Sequence, residues 1–279
     1  MKSVNILNLS IDNLSKVELL DKLGSGGVVF TPNVDHLIKL QKDQEFYKAY
    51  DIATYRVCDS QIVMYASKFL GTPLKEKISG SDLFPAFYNH YKDDENIKIF
   101  LLGAAEGVAK KAQERINHKV GRNMIVDSYS PSFGFENNEI ECLKIVDMIN
   151  NSGATVLAIG VGAPKQEKWI ALYKEKLTNI KIFLALGATI DFEAGNKQRS
   201  PEWMSVAGVE WLHRLMSEPQ RLWKRYLVDD LPFFWLVMKQ KLNFYSQPFK
   251  KGSSSFNVRI EKEAVSLQQD YFREPVLKS

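Results

Sequence analysis

The sequence predicts an α/β fold, a Rossmann-like parallel sheet with helices on both faces, carrying a C-terminal basic helical appendage. Short runs rich in Val and Ile alternate with longer stretches of helical period from Val4 to Leu186, as in a parallel sheet whose strands are covered on both sides. Glycines follow several of these runs, as in Leu102-Gly103 and Ile159-Gly160-Val161-Gly162, where a strand would turn into a helix. Past Gly195 the chain becomes basic, helical and rich in tryptophan. These shifts divide it into a core over residues 1–195, an appendage over 196–250 and a tail over 251–279.

The expected strands are Val4 to Leu9, Val28 to Thr31, Tyr55 to Cys58, Lys98 to Leu102, Met124 to Asp127, Thr155 to Ile159 and Lys181 to Leu186. Between them, Val34, Leu37 and Ile38 recur at i, i+3, i+4, and Ile170, Tyr173 and Leu177 at i, i+3, i+7. Each set lays one apolar face on the sheet. In the appendage, Ser200-Pro201-Glu202 reads as an N-cap followed by proline at the first helical position. Ser217-Glu218-Pro219-Gln220 reads as a second start with capping-box spacing. The tail has weak periodicity after Ser253-Ser254-Ser255 and is expected to be mobile or partner-dependent.

With 279 residues, 45% of them hydrophobic and 25% charged, the chain has globular proportions, which excludes wholesale disorder. Cys58 and Cys142 are too few for a disulfide framework, and no CxxC or HExxH spacing offers a metal site. A reducing, cytoplasmic setting is expected, because Met1-Lys2-Ser3 leads into a segment without the apolar core of a signal peptide. The densest late apolar run, Phe233 to Met238, is far short of the roughly 18 residues of a bilayer span. The net charge of +4 is unevenly placed. Asn196 to Lys251 holds ten basic residues against five acidic ones, and four of the five tryptophans. Basic residues interleaved with aromatics suit an anionic lipid surface or a nucleic acid. A solvated helix pair with aromatic core contacts accounts for them equally well.

In open α/β sheets ligands bind beyond the carboxyl ends of the strands, so the turns there hold the candidate sites. Thr31-Pro32-Asn33 ends one strand, and helix capping by Asn33 accounts for it unaided. Cys58-Asp59-Ser60 puts a carboxylate at a strand end, as a turn residue or as a base facing the ligand. Gly103-Ala104-Ala105-Glu106-Gly107 opens a helix whose backbone N–H groups could meet phosphate oxygens. It matches neither GxGxxG nor GxxxxGK[ST], which disfavours a nicotinamide-dependent Rossmann-type oxidoreductase. Gly160-Val161-Gly162-Ala163-Pro164 brings backbone close to a ligand with Lys165 and Gln166 beside it, or makes a tight structural turn. Asp191 adds a carboxylate after the last strand, but no DxD pair suggests a divalent ion.

The ordered set Thr31-Pro32-Asn33, Cys58-Asp59-Ser60, Ser79-Gly80-Ser81-Asp82, Gly160 to Glu167 and Gly187 to Phe192 resembles the WecG/TagA/CpsF family of bacterial glycosyltransferases. The likeness continues through Arg199 to Met204, Gly208 to Leu215 and Glu218 to Tyr226. The resemblance implies an inverting, metal-independent transferase without a resident cofactor. Such an enzyme moves N-acetylmannosamine or a related hexose from a UDP donor to a polyprenyl-diphosphate-linked saccharide in surface polysaccharide biosynthesis. By the same resemblance Asp59 is the catalytic base, with Thr31 and Asn33 at the reaction centre. Gln166 is a substrate contact by the same resemblance, and with the residues of the strand-end turns the expected substrate-binding positions are Lys77, Gly103, Gly160, Gly162, Lys165, Gln166 and Asp191. The appendage is expected to dock on the inner face of the cytoplasmic membrane, with Arg214, Arg221, Lys224 and Arg225 on anionic lipid or lipid diphosphate and with no nucleic-acid partner. A non-catalytic membrane adaptor is the alternative. Two positions depart from many family members: Ser60 stands where they carry glycine, and Lys77 where they carry arginine, a point charge in place of a planar fork.

Overall fold

The computed structural model describes residues 2–197, 199–201, 204 and 209–249. The chain opens with a hairpin, β1 (Ser3–Ile6) against β2 (Leu9–Asp12), turned by Leu7 and Asn8 with Leu7 at φ 55°. The single strand expected over Val4 to Leu9 is therefore two short strands in a separate antiparallel sheet, because the chain reverses at Leu7 instead of continuing. The hairpin's link to the main sheet is the Asp12 carboxylate, which accepts the Arg56 N–H at 2.8 Å.

The six other strands are β3 (Gly27–Phe30), β4 (Tyr55–Arg56), β5 (Ile99–Gly103), β6 (Ile125–Tyr129), β7 (Val156–Gly160) and β8 (Ile182–Ala185). They form one sheet in the order β4-β3-β8-β7-β5-β6, with every pairing parallel. Each lies within two residues of its expected bounds, and the expected α/β class is what the chain adopts. The core helices are α1 (Lys16–Leu23), α2 (Val34–Lys39), α3 (Gln44–Ala49), α4 (Gln61–Leu70), α5 (Gly80–His90), α6 (Val108–Val120), α7 (Glu139–Asn151), α8 (Lys165–Tyr173) and α9 (Thr189–Glu193). Successive strand residues point to opposite faces, so two cores form. Val28, Phe30, Phe100, Leu102, Leu157 and Ile159 pack with the hairpin, α2, α3, α7 and α8. Val29, Val57, Ile99, Leu101, Val156 and Ala158 pack with α1, α5 and α6.

The appendage follows as α10 (Glu210–Ser217), α11 (Pro219–Lys224), a π-helical turn (Arg225–Asp229) and α12 (Pro232–Lys241). The second helix start stands where the sequence put it, but its cap differs. Glu218 occupies the N-cap without a side-chain bond, while the Ser217 hydroxyl turns back onto the His213 carbonyl at 2.9 Å. Of the start expected at Ser200-Pro201-Glu202, Glu202 lies outside the described residues, as does the whole tail over 251–279. Buried Phe233 and Val237 tie α12 into the core. Gln240 bonds the hairpin twice, accepting the Leu7 N–H at 2.7 Å and donating to the Asn5 carbonyl at 2.9 Å.

At the carboxyl ends of the middle strands the backbones run in near contact. A Cβ on Gly103 would sit 2.5 Å from the Gly160 carbonyl oxygen, and one on Gly160 would sit 2.5 Å from that of Gly187. Gly103 also holds φ 132°, which only glycine adopts easily. Gly121 has φ 78° with open space around its missing side chain. Gly121→Ala should therefore cost backbone strain alone, about 1–2 kcal/mol. Gly103→Ala adds the collision and should cost about 3 kcal/mol or more. Urea denaturation of the two variants checks the ranking; equal losses would contradict it.

Candidate active site

The site is built where the β3–β4 ladder outlasts the strands themselves. Beyond Phe30 and Arg56 the pairing continues, with the Val57 N–H on the Phe30 carbonyl at 3.0 Å and the Asp59 N–H on the Pro32 carbonyl at 2.9 Å. A third extended segment joins on the other side through the Ile78 N–H and the Cys58 carbonyl at 2.7 Å. Asp59 and Lys77 are thereby fixed by backbone bonds beside the Thr31-Pro32-Asn33 turn. Asn33 caps α2, its side chain accepting the His36 N–H at 3.2 Å, and Ser60 caps α4 through the Val63 N–H at 3.3 Å. Both residues thus start helices and border the site at once.

Asn33, Asp59 and Lys77 line a cavity of about 440 Å³ that is closed by Glu210, Trp211, Arg225, Tyr226 and Asp230 of the appendage. That volume lies within the range of small-molecule sites. Trp211 and Tyr226 meet edge to face with ring centroids 6.1 Å apart, giving aromatic surface of the kind on which a sugar ring can rest. Thr31 is buried at the end of β3 and is absent from the lining. A second cavity of about 560 Å³ adjoins the first through Glu210, Arg225 and Tyr226, and reaches Ser81, Ala188 and Arg199.

Ion pairs seat the appendage on the core. Lys77 Nζ lies 3.6 Å from Glu210 Oε2, and Arg225 reaches the buried Asp35 carboxylate at 3.2 Å, where Lys39 also binds at 2.7 Å. Arg199 pairs with Asp82. Burial works against the Asp82 carboxylate, but the Ser79 hydroxyl at 2.6 Å and the Arg199 guanidinium outweigh it, and its pKa falls below the ordinary value. At Asp230 burial, and then the nearby Asp35, outweigh the pull of Arg225 and Lys39 and push it up to about 6. His36 on the buried side of α2 is forced down to about 3 by burial, and its Nδ1 is bonded to the Tyr50 hydroxyl at 2.7 Å.

The remaining sequence candidates are spread along the same end of the sheet. Gly103 and Gly160 pack backbone on backbone at the ends of β5 and β7, across β8 from the Asp59 cavity. Gln166 is 3% exposed and works as an internal clamp. Its Oε1 accepts the Gly162 N–H at 3.2 Å and the Gly187 N–H at 3.1 Å, and its Nε2 donates to Glu167 at 2.8 Å. It thereby holds the loops after β7 and β8 in register. Lys165 pairs with Glu136 and lies 5.0 Å over the Phe133 ring. Asp191 is half-buried on α9 and lines neither cavity. Lys224 is exposed, and the side chains of Arg214 and Arg221 lie outside the described residues. Sequence reasoning passed over Asp35, Glu210, Tyr226 and Asp230. Glu210 and Tyr226 fall inside stretches that carry the family resemblance, whereas nothing in the sequence around Asp230 marks it.

Among the described residues no three His, Cys, Asp or Glu side chains converge as a cation site, and no helix is long and apolar enough to cross a membrane.

The profile of the "Glycosyl transferase WecG/TagA/CpsF family" matches residues 4–247. Three relatives share the name N-acetylglucosaminyldiphosphoundecaprenol N-acetyl-beta-D-mannosaminyltransferase. The Bacillus subtilis (strain 168) protein is 27% identical over 244 residues, covering 86% of this chain and 90% of the relative. The Bacillus spizizenii protein is 26% identical over 202 residues, covering 72% and 75%. The Staphylococcus aureus (strain MRSA252) protein is 26% identical over 245 residues, covering 83% and 90%. The match takes in the core, the strand-end turns and the appendage that closes the cavity, and the chain belongs to the WecG/TagA/CpsF family of glycosyl transferases.

Proposed function

We propose that this glycosyltransferase moves N-acetylmannosamine or a related hexose from a UDP donor to a polyprenyl-diphosphate-linked saccharide, with inversion and without a metal ion. The observation that carries the reading is the carboxylate of Asp59, held by the continued strand ladder at the wall of a cavity that also holds Lys77. The relatives' names supply the sugar and the lipid-linked acceptor. In a single displacement, Asp59 takes the proton of the acceptor hydroxyl as its oxygen bonds to the anomeric carbon. The bond from that carbon to the UDP oxygen breaks, and the diphosphate leaves with the electron pair. A positioned base contributes about 10²- to 10⁴-fold in rate. Cationic Lys77 meets the charge that builds on the leaving diphosphate. Asn33 borders the reaction centre, with Thr31 buried behind it. Gly162, Gln166 and Asp191 set the loops at the ends of β7 and β8, along which the nucleotide lies.

The lipid-borne acceptor calls for a protein resting on the inner face of the cytoplasmic membrane, and the surface of α12 supports that placement. Leu231, Phe234, Trp235 and Met238 are exposed there, next to Tyr65 and Phe69 of α4. Lys239 lies 5.5 Å over the Trp235 ring and Lys241 5.6 Å over the Phe69 ring. An apolar aromatic face rimmed by lysines suits the headgroup boundary of an anionic leaflet, with about 1 kcal/mol from each nearby basic residue. Leu231 and Phe234 also line the cavity, so the membrane face and the site are continuous. The helix breaks between Ser217 and Pro219, so Arg214 and Arg221 stand on different helices, and Arg225 turns inward to Asp35. Lys224 stays on the outer surface.

Asp59→Asn should lower kcat by about 10²- to 10⁴-fold while UDP affinity, read by calorimetry, stays nearly intact and EDTA leaves the wild-type rate unchanged. Full turnover by Asp59→Asn would remove it as the base, and loss of activity in EDTA would overturn the metal-free reading. The double variant Trp235→Glu, Met238→Glu should leave anionic vesicles in a sedimentation assay without losing its fold by circular dichroism. Undiminished sedimentation would contradict docking through α12.

A further inference from the structure

We propose that Arg225 and Asp230 read the acetamido group of a sugar bound in the Asp59 cavity and so select N-acetylated over plain hexose substrates. This inference rests on the transferase reading above and adds to it the residues that fix which sugar is accepted.

Both side chains line the cavity, and each carries a buried polar atom with no hydrogen-bond partner among the described residues, Arg225 Nε and Asp230 Oδ1. Buried polar atoms are nearly always paired, and exceptions concentrate where a ligand or catalysis uses them. Asp230 is 8% exposed. The two come together through the π turn. In an α-helix, residues five apart point about 140° away from each other. Here the Asp230 N–H bonds to the Arg225 carbonyl at 2.9 Å, an i to i+5 closure that brings residue 230 back over residue 225. Single π turns of this kind occur often at functional sites. The Arg225 guanidinium is anchored at its far edge by Asp35, and its enclosed Nε meets a ligand in the cavity once the side chain pivots about that anchor.

The orphaned pair is one N–H donor and one carboxylate acceptor. A secondary amide presents the complement from two separate atoms, its carbonyl oxygen for Arg225 Nε and its N–H for Asp230 Oδ1. The acetyl methyl then has an apolar wall to rest on, since Leu227, Leu231 and Phe234 line the same cavity. A hexose hydroxyl in that place offers a single oxygen and no methyl. The Asp230 carboxylate turns about a broad terminal torsion, so Oδ1 swings to the ligand without backbone movement. With burial and Asp35 holding its pKa near 6, Asp230 is mostly ionised at neutral pH, the state that accepts an amide N–H.

The acetamido group belongs to the donor sugar or to the acceptor sugar, and paired substrates separate the two. Transfer would be measured with UDP-N-acetylmannosamine against UDP-mannose, and with a short polyprenyl diphosphate bearing N-acetylglucosamine against one bearing glucose. The wild type should prefer the acetylated member of one pair by about 100-fold in kcat/KM. Asp230→Ala should cut that preference by about 10-fold or more, because a site built to hydrogen-bond a polar group rejects its absence strongly. It should do so by slowing the acetylated substrate alone and leave the other pair untouched. Asp230→Asn, which keeps an acceptor oxygen, should recover part of the preference. Equal losses on acetylated and plain substrates, or no wild-type preference in either pair, would overturn the proposal. Because Asp230→Ala removes an unpartnered buried atom, its thermal midpoint should hold or rise, whereas a residue serving the fold alone would lower it. Saturation-transfer NMR with the methyl glycosides of N-acetylglucosamine and N-acetylmannosamine reads the acetyl contact without any transfer. An acetyl methyl signal lost in Asp230→Ala, in an enzyme that transfers nothing, would sink the transferase reading and keep this one. No acetyl signal in the wild type for either glycoside would sink this one alone.

Discussion

The structure depends on a parallel ladder that continues past its own strands. Two backbone bonds beyond Phe30 and Arg56, and a third from Ile78, carry the chain's most ordered geometry out to Asp59 and Lys77. A carboxylate on a free loop would spend its time in many positions. Here the Cys58–Asp59 peptide is pinned through both its N–H and its carbonyl by bonds that extend the sheet, so the carboxylate is held in place beforehand. The neighbouring helices reinforce this, since Asn33 and Ser60 each spend a side-chain oxygen on starting one.

The sheet supplies only one wall. The other comes from the appendage, which is seated by charge at the site and by apolar packing away from it. Lys77 with Glu210, Arg225 with Asp35 and Arg199 with Asp82 cross the boundary at the cavities, while Phe233 and Val237 of α12 enter the core behind them. Ion pairs with partly exposed partners hold weakly, whereas buried apolar side chains hold firmly. The firm anchor therefore lies at α12 and the weaker contacts lie where substrates enter. The same helix turns its opposite side, with Trp235 and Met238, outward.

Much of this was legible in the sequence, and its limits have physical causes. Val- and Ile-rich runs located all six parallel strands because strands buried on both faces must be apolar throughout. The hairpin was missed because Leu7 carries no turn signature, yet it takes a positive φ. Strand-end turns pointed to Asn33 and Asp59, whose placement follows from local chain direction, whereas Lys77 was marked only by the family resemblance. Gly103 and Gly160 read equally as phosphate cradle or as packing, and only the backbone separations show how closely they pack. The resemblance marked Gln166 as a ligand contact, and the sequence did not show that its carboxamide bridges two loops. Asp35 and Asp230 left no trace, since their meeting with Arg225 depends on a π turn that no periodicity announces.

The central claim is that the acceptor hydroxyl comes to Asp59. A crystal structure of the enzyme with UDP and a short acceptor disaccharide analogue tests it most directly. The account places the attacking hydroxyl about 2.6–3.2 Å from an Asp59 carboxylate oxygen, on the cavity side shared with Lys77. An acceptor bound with that hydroxyl against a different side chain, and Asp59 out of reach, would contradict it.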